Sequence, residues 1–178
     1  MPTTAETGLE VVRAAPRDRG TVELIVRRPA VDGREAVDEA QLDLEEGLVG
    51  DGWRARGRSG GRRPANPDAQ VTVMSSRAIA LAAGERDRWP LAGDQLYVDL
   101  DLSGDNLPPG TRLEVGSAVI EVTAEPHTGC KKFAARFGLE MLEVFNSPEG
   151  RALNLRGINT RVVEPGTVRV GDVVRKLG

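Results

Sequence analysis

Short apolar segments separated by glycine and proline turns constrain this chain more than any other feature. Several alternate between apolar and polar residues, and residues 96–102 do so throughout. Few long helical patterns lie between them, which favours a barrel over a doubly wound sheet. The sequence therefore predicts a mainly β fold, a closed or nearly closed β-barrel with a few short helices. The predicted strands are residues 9–14, 21–27, 40–44, 71–74, 96–102, 112–115, 118–123, 160–163 and 173–177.

Length and composition agree with this fold class. The chain has 178 residues, the size of one ordinary domain, and we predict a single β-barrel domain over residues 1–178. Its 21 glycines and 11 prolines exceed average usage and indicate many tight turns. Aromatic residues make up only 3% of the chain, so Val, Leu, Ile and Ala must build the core.

A short pattern occurs twice near the carboxyl end. Pro109-Gly110-Thr111 and Pro165-Gly166-Thr167 each precede a short strand, a glycine turn and a second strand. Two interpretations are open: the same turn chemistry recurs, or two related hairpins lie in one barrel.

Helix-capping residues predict three short helices. Ser75 or Ser76 can cap residues 77–83, and Thr128 can cap a helix through Phe137. Ser147 precedes a proline at the first helical position. Residues 139–145 can add a further turn or two, so the segment at about 129–155 is predicted to be mainly helical.

The counts of cysteine and histidine exclude several kinds of site. One Cys and one His cannot form a Cys/His zinc site or an intrachain disulfide. No apolar run approaches the roughly 18 residues of a membrane span, and residues 1–20 lack the apolar core of a signal peptide. We therefore expect a cytoplasmic protein with a free thiol and no membrane partner.

An arginine- and glycine-rich stretch lies at residues 54–67. It holds five arginines and no acidic residue, although the whole chain has a net charge of -3. Such a stretch cannot bury apolar surface, and we predict a mobile loop. The loop can be merely solvated, attract an anionic ligand, or bind RNA without sequence preference. Only Trp53 is near enough to stack on bases, so no nucleic-acid partner is expected.

The single His and the single Cys lie three residues apart, at His127 and Cys130. An apolar strand precedes them and a capped helix follows, which places Cys130 in a first helical turn. Lys131 and Lys132 add positive charge, so we predict an ionised thiol. A thiolate there can attack carbon, carry sulfur as a persulfide or ligate a soft metal. The simpler alternatives are a small buried Cys130 and a His127 that only packs in the turn.

Basic side chains elsewhere can complete an anion site. Arg77, Arg151, Arg156 and Arg161 are either surface arginines or a phosphate cradle, and the segment from Arg156 to Asn159 can offer free backbone donors. No GxGxxG, P-loop or GxSxG motif is present. The four Gly-Asp dipeptides, at 50–51, 93–94, 104–105 and 171–172, are interpreted as turn chemistry.

Several of these motifs, taken in order, resemble the MOSC domain. This module lies at the C-terminus of molybdenum cofactor sulfurases and also occurs in amidoxime-reducing molybdoenzymes and small bacterial proteins. The resemblance runs from about residue 24 to 174, and its most specific element is the single late Cys130 after an apolar strand. The other matching segments are residues 47–51 with the basic stretch after them, 70–74, 93–94, 104–107 and 109–113.

The resemblance implies a barrel of the type found in pyruvate kinase and a functional Cys130. In family members that bind the molybdenum–pterin cofactor, the corresponding cysteine ligates the metal and basic side chains hold the phosphate; in others it is thought to relay sulfur. No pyridoxal phosphate is expected, because the desulfurase domain of the fused sulfurases is absent. Gly52-Trp53 departs from the family pattern, which often has His there. The candidate cofactor-binding residues are His127, Thr128, Lys131, Lys132, Arg77, Asn106, Arg156, Asn159 and Arg161.

Three functions stay open from the sequence. The chain can be a molybdenum-dependent oxidoreductase that reduces a small N- or S-oxygenated compound, with Cys130 as metal ligand. It can be a sulfur carrier that accepts a persulfide from a separate cysteine desulfurase. It can also be a non-catalytic module for an anion or a partner protein. The expected partners are a small-molecule substrate and either the desulfurase or a redox protein.

Overall fold

Eleven strands and six α-helices make up the part of the chain that the computed structural model describes, residues 1 and 3–178. The strands are β1 (Arg19–Arg27), β2 (Glu35–Val37), β3 (Glu39–Asp43), β4 (Gly47–Leu48), β5 (Val71–Ser75), β6 (Leu96–Asp99), β7 (Arg112–Val115), β8 (Ala118–Val122), β9 (Ile158–Glu164), β10 (Gly166–Arg169) and β11 (Val173–Lys176). The α-helices are α1 (Thr4–Arg13), α2 (Trp53–Arg56), α3 (Ser76–Ala83), α4 (Lys131–Phe137), α5 (Leu139–Asn146) and α6 (Pro148–Ala152). Short 3-10 helices cover Pro67–Ala69 and Arg86–Ala92.

Seven strands close into a barrel, which confirms the predicted fold class. Their order is β11-β7-β8-β9-β5-β6-β1, and β1 pairs back to β11 through Gly20 opposite Val174. Only β5 and β6 run parallel among these pairs, joined by α3 and the following 3-10 helix. β2 extends the sheet beside β1, and β10-β3-β4 form a separate three-stranded sheet.

Strands β5 and β6 are buried on both faces because two apolar clusters lie on opposite sides of the barrel wall. Val73 and Leu96 point into the barrel, whereas their chain neighbours Met74 and Tyr97 belong to the outer cluster beneath the helices. Successive side chains of a strand point to opposite faces, so a doubly covered strand is apolar throughout. This explains why β5 is fully buried.

One predicted strand is wrong. Residues 9–14 fall in helix α1, which Thr3 caps by accepting a hydrogen bond from the Glu6 amide at 3.1 Å. The buried residues Leu9 and Val12 are three apart, a helical rather than a strand spacing. The sequence prediction also missed β2 and β4 and extended β6 to residue 102, whereas it ends at Asp99.

The hairpin interpretation of the repeated pattern holds for its first copy only. β7 and β8 pair as a hairpin through Val115 and Ala118. In the second copy, β10 pairs with β3 in the small sheet, whereas β11 pairs with β1 and β7 in the barrel. The repeat is therefore recurring turn chemistry and not two equivalent barrel hairpins.

The predicted helical segment forms α4, α5 and α6 between β8 and β9. Ser75 caps α3 and Ser147 caps α6, as the sequence predicts. Thr128 is not the cap of α4, because that helix begins one residue after Cys130. Within residues 1 and 3–178, no helix is long and apolar enough to cross a bilayer.

Candidate functional site

Cys130 lies where the chain leaves the barrel and enters α4. It is the residue immediately before the helix, in an extended conformation with φ of -132°, and its side chain is exposed. Asn146 brackets the preceding glycine, accepting from the Gly129 amide at 3.0 Å and donating to its carbonyl at 3.1 Å. Asn159 donates to the carbonyls of Glu125 and Pro126, which anchors the turn before His127. Two side-chain amides thus hold the segment that presents the thiol.

The thiol lines a cavity of about 310 Å³ with a strong excess of positive charge. Its lining includes His127, one acidic side chain, Asp32, and four uncharged residues, which are Val31, Ala92, Gly93 and Phe133. The basic side chains come from the segment between β1 and β2, from α2, from α4 and from the segment before β9. They are Arg28, Arg34, Arg56, Lys132, Arg136 and Arg156.

A buried carboxylate behind the cavity holds two of its lining residues. Asp94 has a fully buried side chain, and its carboxylate contacts Arg156 Nη1 and lies 2.7 Å from His127 Nε2. Burial alone would raise the pKa of Asp94, but the charge of Arg156, followed by the charge and hydrogen bond of His127, lowers it well below its ordinary value. Asp94 is therefore ionised and fixes both side chains at the cavity wall.

A second buried carboxylate holds Arg28 in the same way. The side chain of Asp51 is fully buried and accepts from Arg28 Nε at 3.0 Å and Nη2 at 2.9 Å. It also accepts from the backbone amides of Arg28 and Trp53 at 2.7 and 3.0 Å. The bidentate ion pair and the two hydrogen bonds from backbone amides to Asp51 leave the Arg28 side chain little rotational freedom.

Positive charges crowd one another around the cavity. Partial burial, followed by the charges of Arg136 and Arg28, lowers the pKa of Arg34. Partial burial and the charge of Arg28 lower the pKa of Arg56. A bound anion would relieve this repulsion, so the arrangement favours an anionic ligand.

The environment of Cys130 stabilises its thiolate. Partial burial acts to raise the pKa of the thiol, but the backbone amides of Phe133 and Lys132 and the charges of Arg156 and Lys132 outweigh it. The net effect is a lowered pKa. An exposed, readily ionised thiol can therefore act as nucleophile, sulfur acceptor or soft metal ligand.

The structure brings only some of the predicted cofactor-binding residues together. His127, Lys132 and Arg156 line the cavity with Cys130. Thr128 lies beside a neighbouring cavity of about 250 Å³ that also includes Arg151, His127 and Arg156. Lys131 is exposed and is not among the lining residues of the cavity at Cys130. Asn159 is not among the lining residues of this cavity; its side chain donates hydrogen bonds to the carbonyls of the turn before His127.

Three further predicted residues take part in contacts away from this cavity. Arg77 pairs with Asp99 at 2.8 Å and donates to the carbonyl of Val11. Asn106 is buried and donates to the carbonyls of Arg17 and Asp101. Arg161 pairs with Glu121 at 2.8 Å.

Sequence reasoning missed half of the six basic side chains that line the cavity, and it missed the role of the carboxylates behind them. Arg28 and Arg34 lie between β1 and β2, Arg136 lies in α4, and none of the three belongs to a motif. Asp51 and Asp94 were visible as two of the four Gly-Asp dipeptides and lie in segments that resemble the MOSC domain, but they were interpreted as turn residues and given no role in the site. Each of these two aspartates anchors an arginine of the cavity, which the other two dipeptides do not.

Comparison with known proteins decides the family. The family model described as "MOSC domain" matches residues 60–175. The chain belongs to the MOSC domain family. Members of this family are associated with molybdenum cofactor binding or sulfurase-like function.

Solved structures similar to this MOSC protein support the fold. The YuaD protein from Bacillus subtilis is 20% identical, with a TM-score of 0.62, covering 88% of this chain and 94% of that one. YiiM from Escherichia coli is 22% identical, with a TM-score of 0.56, covering 89% of this chain and 70% of that one. A search of curated proteins finds no match to this chain.

Proposed function

We propose that this MOSC protein binds a molybdenum–pterin cofactor, with the Cys130 thiolate as protein ligand to the metal, and reduces a small N- or S-oxygenated compound. One observation supports the proposal above all others. The exposed thiol, whose pKa is lowered, shares a cavity with six cationic side chains. A soft metal ligand next to an anion site matches a cofactor that carries both a metal and a phosphate.

The residues present fit such a group. Arg156 has a buried Nε without an acceptor among the described residues, and that residue lines the cavity. No group of three or more His, Cys, Asp or Glu side chains in residues 1 and 3–178 could hold a metal ion. A metal at Cys130 would therefore have to bring its other ligands with it, as a metal–pterin group does. When bound, the cofactor would supply redox chemistry at its metal.

The protein's own residues would bind and orient this cofactor. Arg28, Arg156 and Lys132 would supply the positive charge for the phosphate, and the first two are already held by carboxylates. His127 Nε2 lies 2.7 Å from the Asp94 carboxylate, and this contact orients the ring at the cavity wall.

Metal analysis tests the proposal. The protein and its Cys130→Ser variant would be produced in a host that makes the cofactor, and molybdenum and phosphorus would be measured per chain. We expect near-stoichiometric molybdenum in the wild type and a large loss in Cys130→Ser. A wild-type protein without molybdenum from such a host would overturn the proposal.

The exposure of Cys130 also supports a second function, relay of a persulfide sulfur from a separate cysteine desulfurase. Sulfur transfer between proteins requires a thiol that another protein's sulfur can reach. Incubation with a desulfurase and cysteine should then add about 32 Da, one sulfur, to the wild type and nothing to Cys130→Ser. A wild-type protein that forms this adduct but contains no molybdenum would favour sulfur relay over reduction of a substrate.

A further inference from the structure

The cavity arginines converge on one short backbone segment. Pro90, Leu91, Ala92 and Gly93 are consecutive, and each carbonyl oxygen accepts a hydrogen bond from a different arginine. The bonds run from Arg34 Nε to Pro90 at 3.1 Å, Arg136 Nη1 to Leu91 at 2.9 Å, Arg156 Nη2 to Ala92 at 2.8 Å and Arg28 Nη1 to Gly93 at 3.1 Å. Asp94, next in the chain, adds its carboxylate to Arg156.

The local structure explains why these carbonyls are available. Three of them lie at the carboxyl end of the 3-10 helix Arg86–Ala92 and the fourth belongs to Gly93, which follows the helix; the Pro90 carbonyl also accepts a hydrogen bond from the Gly93 amide. The last carbonyls of a helix lack partners within it and carry partial negative charge, so they attract cations. Gly93 ends the helix in a left-handed conformation with φ of 86°, which turns the chain so that Asp94 is buried behind the cavity.

We propose that residues 90–94, which we call the acceptor turn, are the positioning element that assembles four arginines of the cavity into a preformed anion site. This inference rests on the proposed function only in taking the cavity to bind an anion.

Arginines held in this way remain able to bind a ligand. A guanidinium has five N–H donors, and the acceptor turn uses only some of them. Because the side chains are ordered before binding, less rotamer freedom is lost when the ligand arrives. The carbonyls also offset the repulsion among Arg28, Arg34 and Arg136 without adding a negative charge to the cavity, whose one acidic side chain is the exposed Asp32, 3.4 Å from Arg136 Nη2.

Neutralising Asp94 distinguishes positioning from simple charge. If Asp94 acted only through its charge, Asp94→Asn would make the cavity more positive and bind anions more tightly. If Asp94 positions Arg156 and His127, the same variant should bind anions more weakly. The probe is inorganic pyrophosphate, titrated calorimetrically at constant ionic strength into the purified protein. We expect Asp94→Asn to weaken its binding about tenfold or more.

A second variant tests the backbone without changing any charge. Gly93→Ala would strain a left-handed position and place its Cβ 3.2 Å from Arg34 Nη2. We expect a comparable loss of affinity, and this variant decides the question if Asp94→Asn does not fold.

Two control variants match these changes away from the cavity. Asp99→Asn breaks a different Asp–Arg pair, with Arg77, and Gly110→Ala strains a glycine with φ of 94° and no atom within 4 Å of the added Cβ. Both should bind pyrophosphate like the wild type.

The proposal is overturned if the folded Asp94→Asn and Gly93→Ala proteins bind pyrophosphate as tightly as the wild type, or if the wild type does not bind it. It stands independently of the metal. If the wild type from a cofactor-making host contains no molybdenum but its pyrophosphate affinity still depends on the acceptor turn, the proposed function is rejected and this inference is kept.

Discussion

At the residue scale, opposing effects set the state of Cys130. Burial opposes ionisation of the thiol, whereas two backbone amides, Arg156 and Lys132 favour it and prevail. Lys131 has the same charge and lies next to Cys130, but it is not among the main causes of the lowered pKa. Adjacent lysines are thus not equivalent, because α4 turns them in different directions.

The lysine pair yields a prediction for thiol reactivity. The pH midpoint of Cys130 alkylation by iodoacetamide should lie below that of the unfolded chain in urea. Lys132→Ala should raise this midpoint, because a stabilising charge is lost, and Lys131→Ala should change it less. Equal midpoints for the two variants would show that Lys132 does not stabilise the thiolate more than Lys131 does.

Asp94 predicts how stability depends on pH. Its pKa is lowered in the folded protein, so its contribution is complete above the ordinary Asp value of 3.8 and is lost as pH falls through the folded value. At pH 7, Asp94→Asn should reduce the free energy of unfolding by about 3 kcal/mol, because Arg156 loses its buried partner. At pH 3 the difference from the wild type should be about 1 kcal/mol smaller. Urea unfolding at both pH values measures this, and a difference that grows toward pH 3 would contradict it.

At the element scale, α4 couples the thiol to the outer core. Its Phe133 is buried and packs against Phe137 and Phe145, with ring centroids 5.0 and 4.9 Å away. The guanidinium of Arg156 lies 5.6 Å from the centre of the same ring. One aromatic side chain therefore supports the helix after Cys130 and a cation of the cavity together.

Phe133→Ala should destabilise the protein by about 3 kcal/mol, because it leaves a cavity under α4. It should also raise the pH midpoint of Cys130 alkylation, since both the backbone amides and Arg156 lose their support. Phe137→Ala is the control and should affect the midpoint less, because Phe137 lies in the same helix but is only half-buried and its ring lies beside Arg88, at 5.8 Å. Chemical unfolding and alkylation rates would be measured on the same samples.

At the scale of the whole molecule, the last strand closes the barrel. β11 lies between β1 and β7, so residues near the carboxyl end join the first and middle strands of the chain. Val174 is fully buried inside the barrel, whereas its neighbour Arg175 is exposed and pairs with Glu114 at 3.1 Å. Closure therefore depends on one apolar face of this strand.

Val174→Ala should reduce the free energy of unfolding by about 2 kcal/mol through lost packing inside the barrel. Arg175→Ala should change it by less than about 0.5 kcal/mol, because an exposed ion pair contributes little. Both are measured by urea unfolding followed by circular dichroism. Similar losses for the two variants would mean that β11 does not separate an inner from an outer face.

Local chemistry in the sequence determined most of the strands, the caps at Ser75 and Ser147, and the setting of Cys130 between a strand and a helix. These follow from residues close together in the chain, where alternation, capping and turn preferences act directly. The helix at residues 4–13 was missed because a short apolar run suits either period, and the capping box at Thr3 and Glu6 was overlooked. The site was predicted only around Cys130, where His127, Lys132 and Arg156 proved to line the same cavity.

Tertiary structure alone decided which arginines surround the thiol. Arg28, Arg34, Arg136 and Arg156 come from distant parts of the chain and meet at residues 90–94 because the barrel and helix α4 bring them there. Their anchors are backbone carbonyls, which every residue possesses, so no side-chain pattern marks them. Asp51 and Asp94 are turn residues in the sequence and become charge partners only when burial removes water from them and an arginine takes its place.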